Sequence, residues 1–327
     1  MYFTLETAVL ASLIAFLANV LLCPILIPIL KRIKFGQNVR DDGPKTHIQK
    51  AGTPTMGGII IIISFFVGSV FFLQGNTKGI LVMFVTIAFG VIGFLDDYIK
   101  VVKKRSLGFR AVPKFLLQLL SGGVFLFLLN TTTDGSYNYF FVPFMRGFYI
   151  DMGWFFVPAT LFIMLGSVNG VNFTDGLDGL ASGVTVLVST FFLFAAYGLG
   201  SWGLLPITGA AAGSLLGFLL FNTYPAKVFM GDTGSLALGG FIAAVAIVLQ
   251  MQLFLAIVGL VYVIEVLSVV LQVGYFKLTK GKRLFKMAPL HHHFELMGIP
   301  ESKVVAIFYI FTVTMILIGF LATGGMF

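Results

Sequence analysis

The chain has 327 residues, 58% hydrophobic and only 10% charged, with a mean hydropathy of +1.01. A soluble domain carries roughly a quarter charged residues, so a large water-facing domain is excluded. The formal net charge of +8 reads as a membrane-topology signal, with anionic lipid or substrate as a second contribution, and not as a nucleic-acid partner.

Ten apolar runs follow in chain order, at 6–30, 56–73, 80–95, 112–130, 154–171, 180–198, 204–222, 235–250, 254–276 and 304–322. Each is near the length that spans a bilayer as a helix, about 20 residues. The first run has no basic segment ahead of it, and Lys31, Arg32 and Lys34 follow it, which marks a retained span and not a cleaved signal. Cys23 within it is the single cysteine, so no internal disulfide or zinc spacing arises. The third run is short and closes on Asp96-Asp97. The outside segment 131–153, rich in Tyr, Phe and Asn, is expected to form a small hairpin or an interfacial element.

Of the 21 Lys and Arg residues, only Lys78 and Arg146 fall on even-numbered loops; the others fall on odd ones. This bias makes the odd loops cytoplasmic and both termini outside. The expected fold is an all-α polytopic membrane protein of about ten transmembrane helices, N-out and C-out. It forms one transmembrane domain over 1–327, with active-site loops near 31–55, 96–111, 172–179, 223–236 and 277–303. No internal repeat of the transporter type is evident.

The acidic residues share the side of the basic ones. Asp41, Asp42, Asp96, Asp97, Asp175, Asp178, Asp232, Glu295 and Glu301 fall on odd loops; Glu6, Asp134 and Asp151 fall outside, and Glu265 is in mid-span. Three groups stand at helix ends: Asp96-Asp97 in GFLDDYIK, then Asn169, Asn172, Asp175 and Asp178 in NGVNFTDGLDGL, then Asp232 in VFMGDTGS. Each alone reads as a cap or turn. Together on one face, without an evident basic partner, they read as a cation site. Hard oxygens select Mg²⁺ or Mn²⁺, and Mg²⁺ is usually held by one or two carboxylates plus substrate phosphates. Gly176, Gly179, Gly231 and Gly234 allow the backbone to approach a ligand closely.

His291-His292-His293 in APLHHHFELMG read either as an exposed polar loop or as groups that contact phosphate or donate protons near neutral pH. The basic stretch from Lys277 to Lys286 adds positive potential. In the first loop, GPKTHIQKAGTPTMGG suits phosphate but is no Walker A motif. Without GxSxG, HExxH or a Rossmann glycine fingerprint, serine hydrolysis, zinc proteolysis and hydride transfer are unsupported. Glu265 is either a functional mid-membrane carboxylate or one that packs helices and supports a bend.

The Asp96-Asp97 pair, the NxxNxxDGLDGL run and the GDTGS run resemble the polyprenyl-phosphate N-acetylhexosamine-1-phosphate transferase superfamily. HxxKxGTPTMGG from His47 to Gly58 and PLHHHFE from Pro289 to Glu295 narrow the resemblance to phospho-N-acetylmuramoyl-pentapeptide transferases, and it covers the whole chain. The resemblance implies transfer of phospho-MurNAc-pentapeptide from UDP-MurNAc-pentapeptide to undecaprenyl phosphate, giving lipid I and UMP. It also implies Mg²⁺, a homodimer among membrane lipids, and a bacterial inner-membrane location with the site facing the cytoplasm. Asp232 resembles the metal ligand, and Mg²⁺ there neutralises the pyrophosphate. Asp96 is the candidate base for the lipid phosphate, with Asp97 beside it; a covalent phospho-sugar intermediate on an Asp stays open. Asn172 and Asp175 correspond to groups near the metal and pyrophosphate. Gly176, Leu177, Asp178, Asn222 and Phe229 resemble a uridine pocket. Lys50, Thr55, His291 and His292 resemble residues facing the nucleotide-sugar and its phosphates. The family's ninth helix is bent and borders a groove for the lipid tail, near Glu265.

Two alternatives stand beside this. A GlcNAc-1-phosphate transferase keeps the superfamily and changes the sugar. An ion-coupled transporter with Glu265 as coupling site predicts polar groups near the midplane of several helices.

Overall fold

In a bilayer a spanning backbone must satisfy its own N–H and C=O groups, so the apolar runs become helices. The computed structural model describes residues 3–33, 50, 52–102, 108–133 and 137–325, and for 101–102 the backbone alone. His47 and the rest of 34–49 lie outside the described residues, as do Lys103, Lys104, Arg105 and Asp134. The helices are α1 (Leu5–Arg32), α2 (Gly58–Ser69), α3 (Thr77–Val102) and α4 (Ala111–Thr132). A hairpin of β1 (Tyr139–Phe141) and β2 (Tyr149–Asp151) comes next, then α5 (Phe156–Thr174), α6 (Leu180–Gly198), α7 (Leu205–Asn222) and α8 (Gly231–Val248). The chain continues with α9 (Gln252–Val258), α10 (Leu260–Leu278), α11 (Leu290–Leu296) and α12 (Glu301–Ala322). The hairpin expected within 131–153 is present, antiparallel, with Phe140 opposite Ile150.

Among the described residues nine helices are long and apolar enough to cross a membrane. The chain is a multi-pass membrane protein. The second expected span is the exception. Gly57 N and Gly58 N donate to the carbonyls of Phe229 and Met230 at 2.8 Å each, so the chain is committed to that loop and α2 begins only at Gly58. It runs 12 residues, with a 3-10 turn continuing to Phe72. The run expected over 254–276 is broken at Gly259 into α9 and α10. Two further boundaries move. α3 continues past residue 95 and carries Asp96 and Asp97 inside its last turns, and α8 begins at Gly231, so Asp232 stands in its first turn and not on a loop.

α8 is the axis of the bundle. Every residue from Thr233 to Val248 is buried, and α3 and α5 pack along it. On one flank α7 packs against α1, where Gly209, Gly213 and Gly217 form a stripe at four-residue spacing. A Cβ at Gly213 would stand 2.0 Å from the Ser12 carbonyl oxygen, so only glycine lets the two backbones meet, the usual device of membrane helix pairs. Ser64 of α2 bonds Asn19 of α1 (2.9 Å) and Ser214 of α7 (2.7 Å), both buried. The large apolar side chains left exposed, such as Leu13, Leu17 and Leu21 on α1 and Ile310, Leu317 and Leu321 on α12, face where lipid stands.

Candidate active site

The site starts from a helix that lacks its own cap. α8 has no side-chain bond at its N-terminus, and the first amides of a buried helix need acceptors. Asp97 of α3 supplies them. Its Oδ1 accepts from Asp232 N at 3.2 Å, and its Oδ2 accepts from Thr233 N at 2.9 Å and Thr233 Oγ1 at 2.7 Å. One turn earlier on α3, Gly93 presses on the same peptide: a Cβ there would lie 2.0 Å from the Asp232 carbonyl oxygen. Thus α3 and α8 touch backbone to backbone, and Asp97 reaches across at a set distance. The Asp97 carboxylate is occupied as a cap.

Asp96 and Asp232 share two lysines. Lys100 Nζ lies 2.8 Å from Asp96 Oδ2 and 3.0 Å from Asp232 Oδ2. Lys114 Nζ, from the first turn of α4, lies 2.6 Å from Asp232 Oδ2 and 3.4 Å from Asp96 Oδ2. Asp96 Oδ1 accepts from Phe109 N at 2.6 Å. Asn172 Nδ2 donates to Asp232 Oδ1 at 3.1 Å and to Ser235 Oγ at 2.8 Å. The carboxylates therefore have basic partners, contrary to expectation. Lys100 stands four residues from Asp96, a spacing that pairs on a helix. By loop position alone, Lys100 and Lys114 read as topology charge. Side by side, the two ammonium groups can receive phosphate oxygens and the carboxylates a cation.

Asp175 joins this cluster to the next. It follows the end of α5 and accepts the Gly231 N–H; burial pushes its carboxyl well above the ordinary range, helped by the charges of Asp232, Asp97 and Asp178 and opposed by that amide. Beyond it, Gly176 lies under His291: a Cβ would stand 2.0 Å from Nε2. Leu177 is buried. Asp178 Oδ1 accepts from Lys50 Nζ at 2.7 Å and its Oδ2 from Ala226 N at 2.9 Å. Lys50 Nζ also meets Glu301 Oε1 at 2.6 Å. Burial works against the Lys50 charge, but bonds to Asp178 and Glu301 outweigh it and raise its ammonium above the usual value. Asn222 accepts from Ser182 Oγ at 2.7 Å and donates to the Val228 carbonyl at 3.0 Å, so its amide shapes the loop that ends in Phe229. Phe229 N donates to the Pro54 carbonyl at 2.8 Å, beside the buried Thr55. Phe229 itself is half-buried.

The histidine triplet is helical and not an exposed loop. α11 carries it, with His291 fully buried and His292 and His293 half-buried. His292 Nδ1 stands 2.8 Å from Glu295 Oε2. Beneath His291 stands Glu265. Its Oε2 accepts from Leu290 N at 2.7 Å and its Oε1 from His291 N at 3.2 Å, so the buried mid-span carboxylate of α10 caps α11. Glu265→Leu orphans both amides, at about 1–3 kcal/mol each. The expected result is a lower melting temperature together with lost turnover; unchanged values for both would remove the capping role. Four groups escaped the sequence: Lys100, Lys114, Glu265 as a cap, and Glu301 as a partner of Lys50. Only Lys100 carried a local signal, its four-residue spacing from Asp96.

A family model described as glycosyl transferase family 4 matches residues 79–250, and the phospho-N-acetylmuramoyl-pentapeptide-transferase signature 1 matches residues 50–62. The phospho-N-acetylmuramoyl-pentapeptide-transferase of Acetivibrio thermocellus is 49% identical over 322 residues, covering 98% of this chain and 96% of its own. Proteins of the same name from Clostridium perfringens and Caldicellulosiruptor bescii are 48% and 49% identical, each over 95% of this chain and over 95% and 96% of their own. With its Asp96, Asp232 and Asn172 cluster carried on the 79–250 segment and Lys50 opening the signature, this chain belongs to the phospho-N-acetylmuramoyl-pentapeptide transferase family.

Proposed function

We propose that the protein transfers phospho-MurNAc-pentapeptide from UDP-MurNAc-pentapeptide to undecaprenyl phosphate, giving lipid I and UMP. The observation that carries this is the Asp96–Lys100–Lys114–Asp232–Asn172 cluster, a charged site where α3 and α5 end and α4 and α8 begin. An acceptor phosphate anchored by a lipid and a water-soluble nucleotide meet only at such an end. An oxygen of the acceptor phosphate attacks the phosphorus that bears the sugar. The new P–O–P bond forms as the bond to the bridging oxygen breaks, and UMP leaves with that oxygen. Lys100 and Lys114 bind and orient the phosphates. Asp96 holds the acceptor's proton when it arrives protonated. Asp97 acts through Asp232 as a positioning residue. Lys50, Asp178 and the segment 222–229 receive the nucleotide, with Phe229 and Thr55 at its edge, and His292 faces the sugar phosphates, backed by the buried ring of His291.

The donors suit Mg²⁺. They are carboxylate oxygens, and Asp232 Oδ2 already draws two ammonium groups to 2.6 and 3.0 Å. Mg²⁺ usually takes one or two protein carboxylates and completes its shell with substrate phosphates. Asp232 would hold the ion, which when bound neutralises pyrophosphate charge. The lysine bias over the loops supports a cytoplasmic site with both termini outside, in the inner membrane; the chain acts as one domain, and the proposed assembly is a homodimer.

Detergent-purified protein given undecaprenyl phosphate is expected to release UMP from UDP-MurNAc-pentapeptide with Mg²⁺, and to release none with EDTA. Release from UDP-GlcNAc alone would replace the sugar assignment. Release that survives EDTA would remove the metal.

A further inference from the structure

Glu301 has no part in the roles assigned so far. It opens α12, where an acidic side chain usually does no more than favour the helix dipole. Its carboxylate does something else. Oε1 accepts from Lys50 Nζ at 2.6 Å and from the Asp178 backbone N–H at 2.8 Å. Both partners are far away in sequence, and the Glu301 and Lys50 side chains are only 8% and 12% exposed. Asp178 closes the figure, since it accepts from Lys50 on one oxygen and from Ala226 N on the other. Four segments meet here: the first loop at Lys50, the turn at Asp178, the loop at Ala226 and the start of α12.

The geometry decides between two roles. A helix-dipole partner would point at its own first amides. Glu301 instead bonds an amide 123 residues away. Lys50 is a flexible four-carbon stem, and one carboxylate would leave it several rotamers. Two carboxylates converging on one ammonium leave it a single placement. The Asp178 amide is held by the same oxygen, so the lysine and the turn are registered against each other.

We propose that Glu301 is a positioning residue for nucleotide recognition: it sets Lys50 and Asp178 in one fixed relation and does not itself touch the reacting phosphates. The proposal rests on the transfer reaction above, with the uridine end of the donor at Lys50 and Asp178.

The test measures UMP binding by calorimetry and the KM for each substrate, in wild-type protein and in Glu301→Gln. Glutamine keeps the shape and one acceptor but loses the charge that fixes Lys50. A charge-assisted buried bond is worth enough to change an equilibrium by about tenfold. UMP affinity is therefore expected to fall about tenfold and the KM for UDP-MurNAc-pentapeptide to rise about tenfold, while the KM for undecaprenyl phosphate and kcat stay near wild type. Glu301→Asp keeps the charge but is one methylene too short for both partners, and it should fall between. It also serves should the glutamine variant fail to fold. Wild-type nucleotide affinity in a folded variant overturns the proposal, and so does an equal change in both KM values or a loss confined to kcat. Wild-type protein that neither binds UMP nor turns over the donor overturns the transfer reaction and this inference with it.

Discussion

Asp232→Asn is expected to lower turnover by about 10³-fold while the melting temperature stays close to wild type. The magnitude follows from losing the carboxylate that would hold Mg²⁺, the group that neutralises pyrophosphate charge; one such electrostatic interaction is worth about 10²–10³ in rate. Asparagine preserves the volume and an oxygen facing Asn172 Nδ2, now 3.1 Å from Oδ1. It removes the charge that Lys114 and Lys100 approach at 2.6 and 3.0 Å. The fold does not depend on that charge, because the cap of α8 comes from Asp97, and Asp96 still faces both lysines. The measurement is Mg²⁺-dependent UMP release beside a thermal melt. Near-normal release in folded protein would end the assignment of Asp232 to the metal.

Gly93→Ala is the second large effect, and it acts through packing. The new Cβ would stand 2.0 Å from the Asp232 carbonyl oxygen, 2.4 Å from its carbon and 2.7 Å from Thr233 Cα. All three are backbone atoms, so no rotamer relieves the contact. α3 and α8 must part by roughly 1 Å, and overpacking of this kind costs about 1–3 kcal/mol. The same movement draws Asp97 away from the two amides it caps and shifts Asp96 relative to Asp232. A displacement of that size in a catalytic constellation costs about 10² in rate. The expected result is a lower melting temperature and turnover reduced about a hundredfold. Gly123→Ala on α4, where a Cβ meets no atom within 4 Å, is the control and should match wild type. If Gly93→Ala also matches it, the backbone contact between α3 and α8 does not set the site.

The run lengths and their hydropathy were enough to read an all-α membrane bundle, since each span is decided by its own residues and a bilayer admits little else. The run expected over 56–73 forms α2 and its 3-10 turn over 58–72, but Asp96 and Asp232, expected on loops, both stand on helices. Those errors share a cause. A boundary fixed by a distant partner leaves no trace in local composition.

The same holds within the site. Adjacent motifs flagged Asp96, Asp232, Asn172 and the histidine triplet, because polar residues beside apolar runs stand out in one dimension. The assignment of each carboxylate to its partner did not stand out. Asp97 as the cap of α8, Lys114 against Asp232, Glu265 beneath His291 and Glu301 on Lys50 join residues 26 to 251 positions apart. By itself the sequence determined how many apolar segments there are, what kind of fold they build and which polar clusters are candidates, since these depend on the transfer energy of each residue alone. Which carboxylate caps, which binds a cation and which holds a lysine was decided only when helix packing brought those groups within about 3 Å, the range in which hydrogen bonds and ion pairs act.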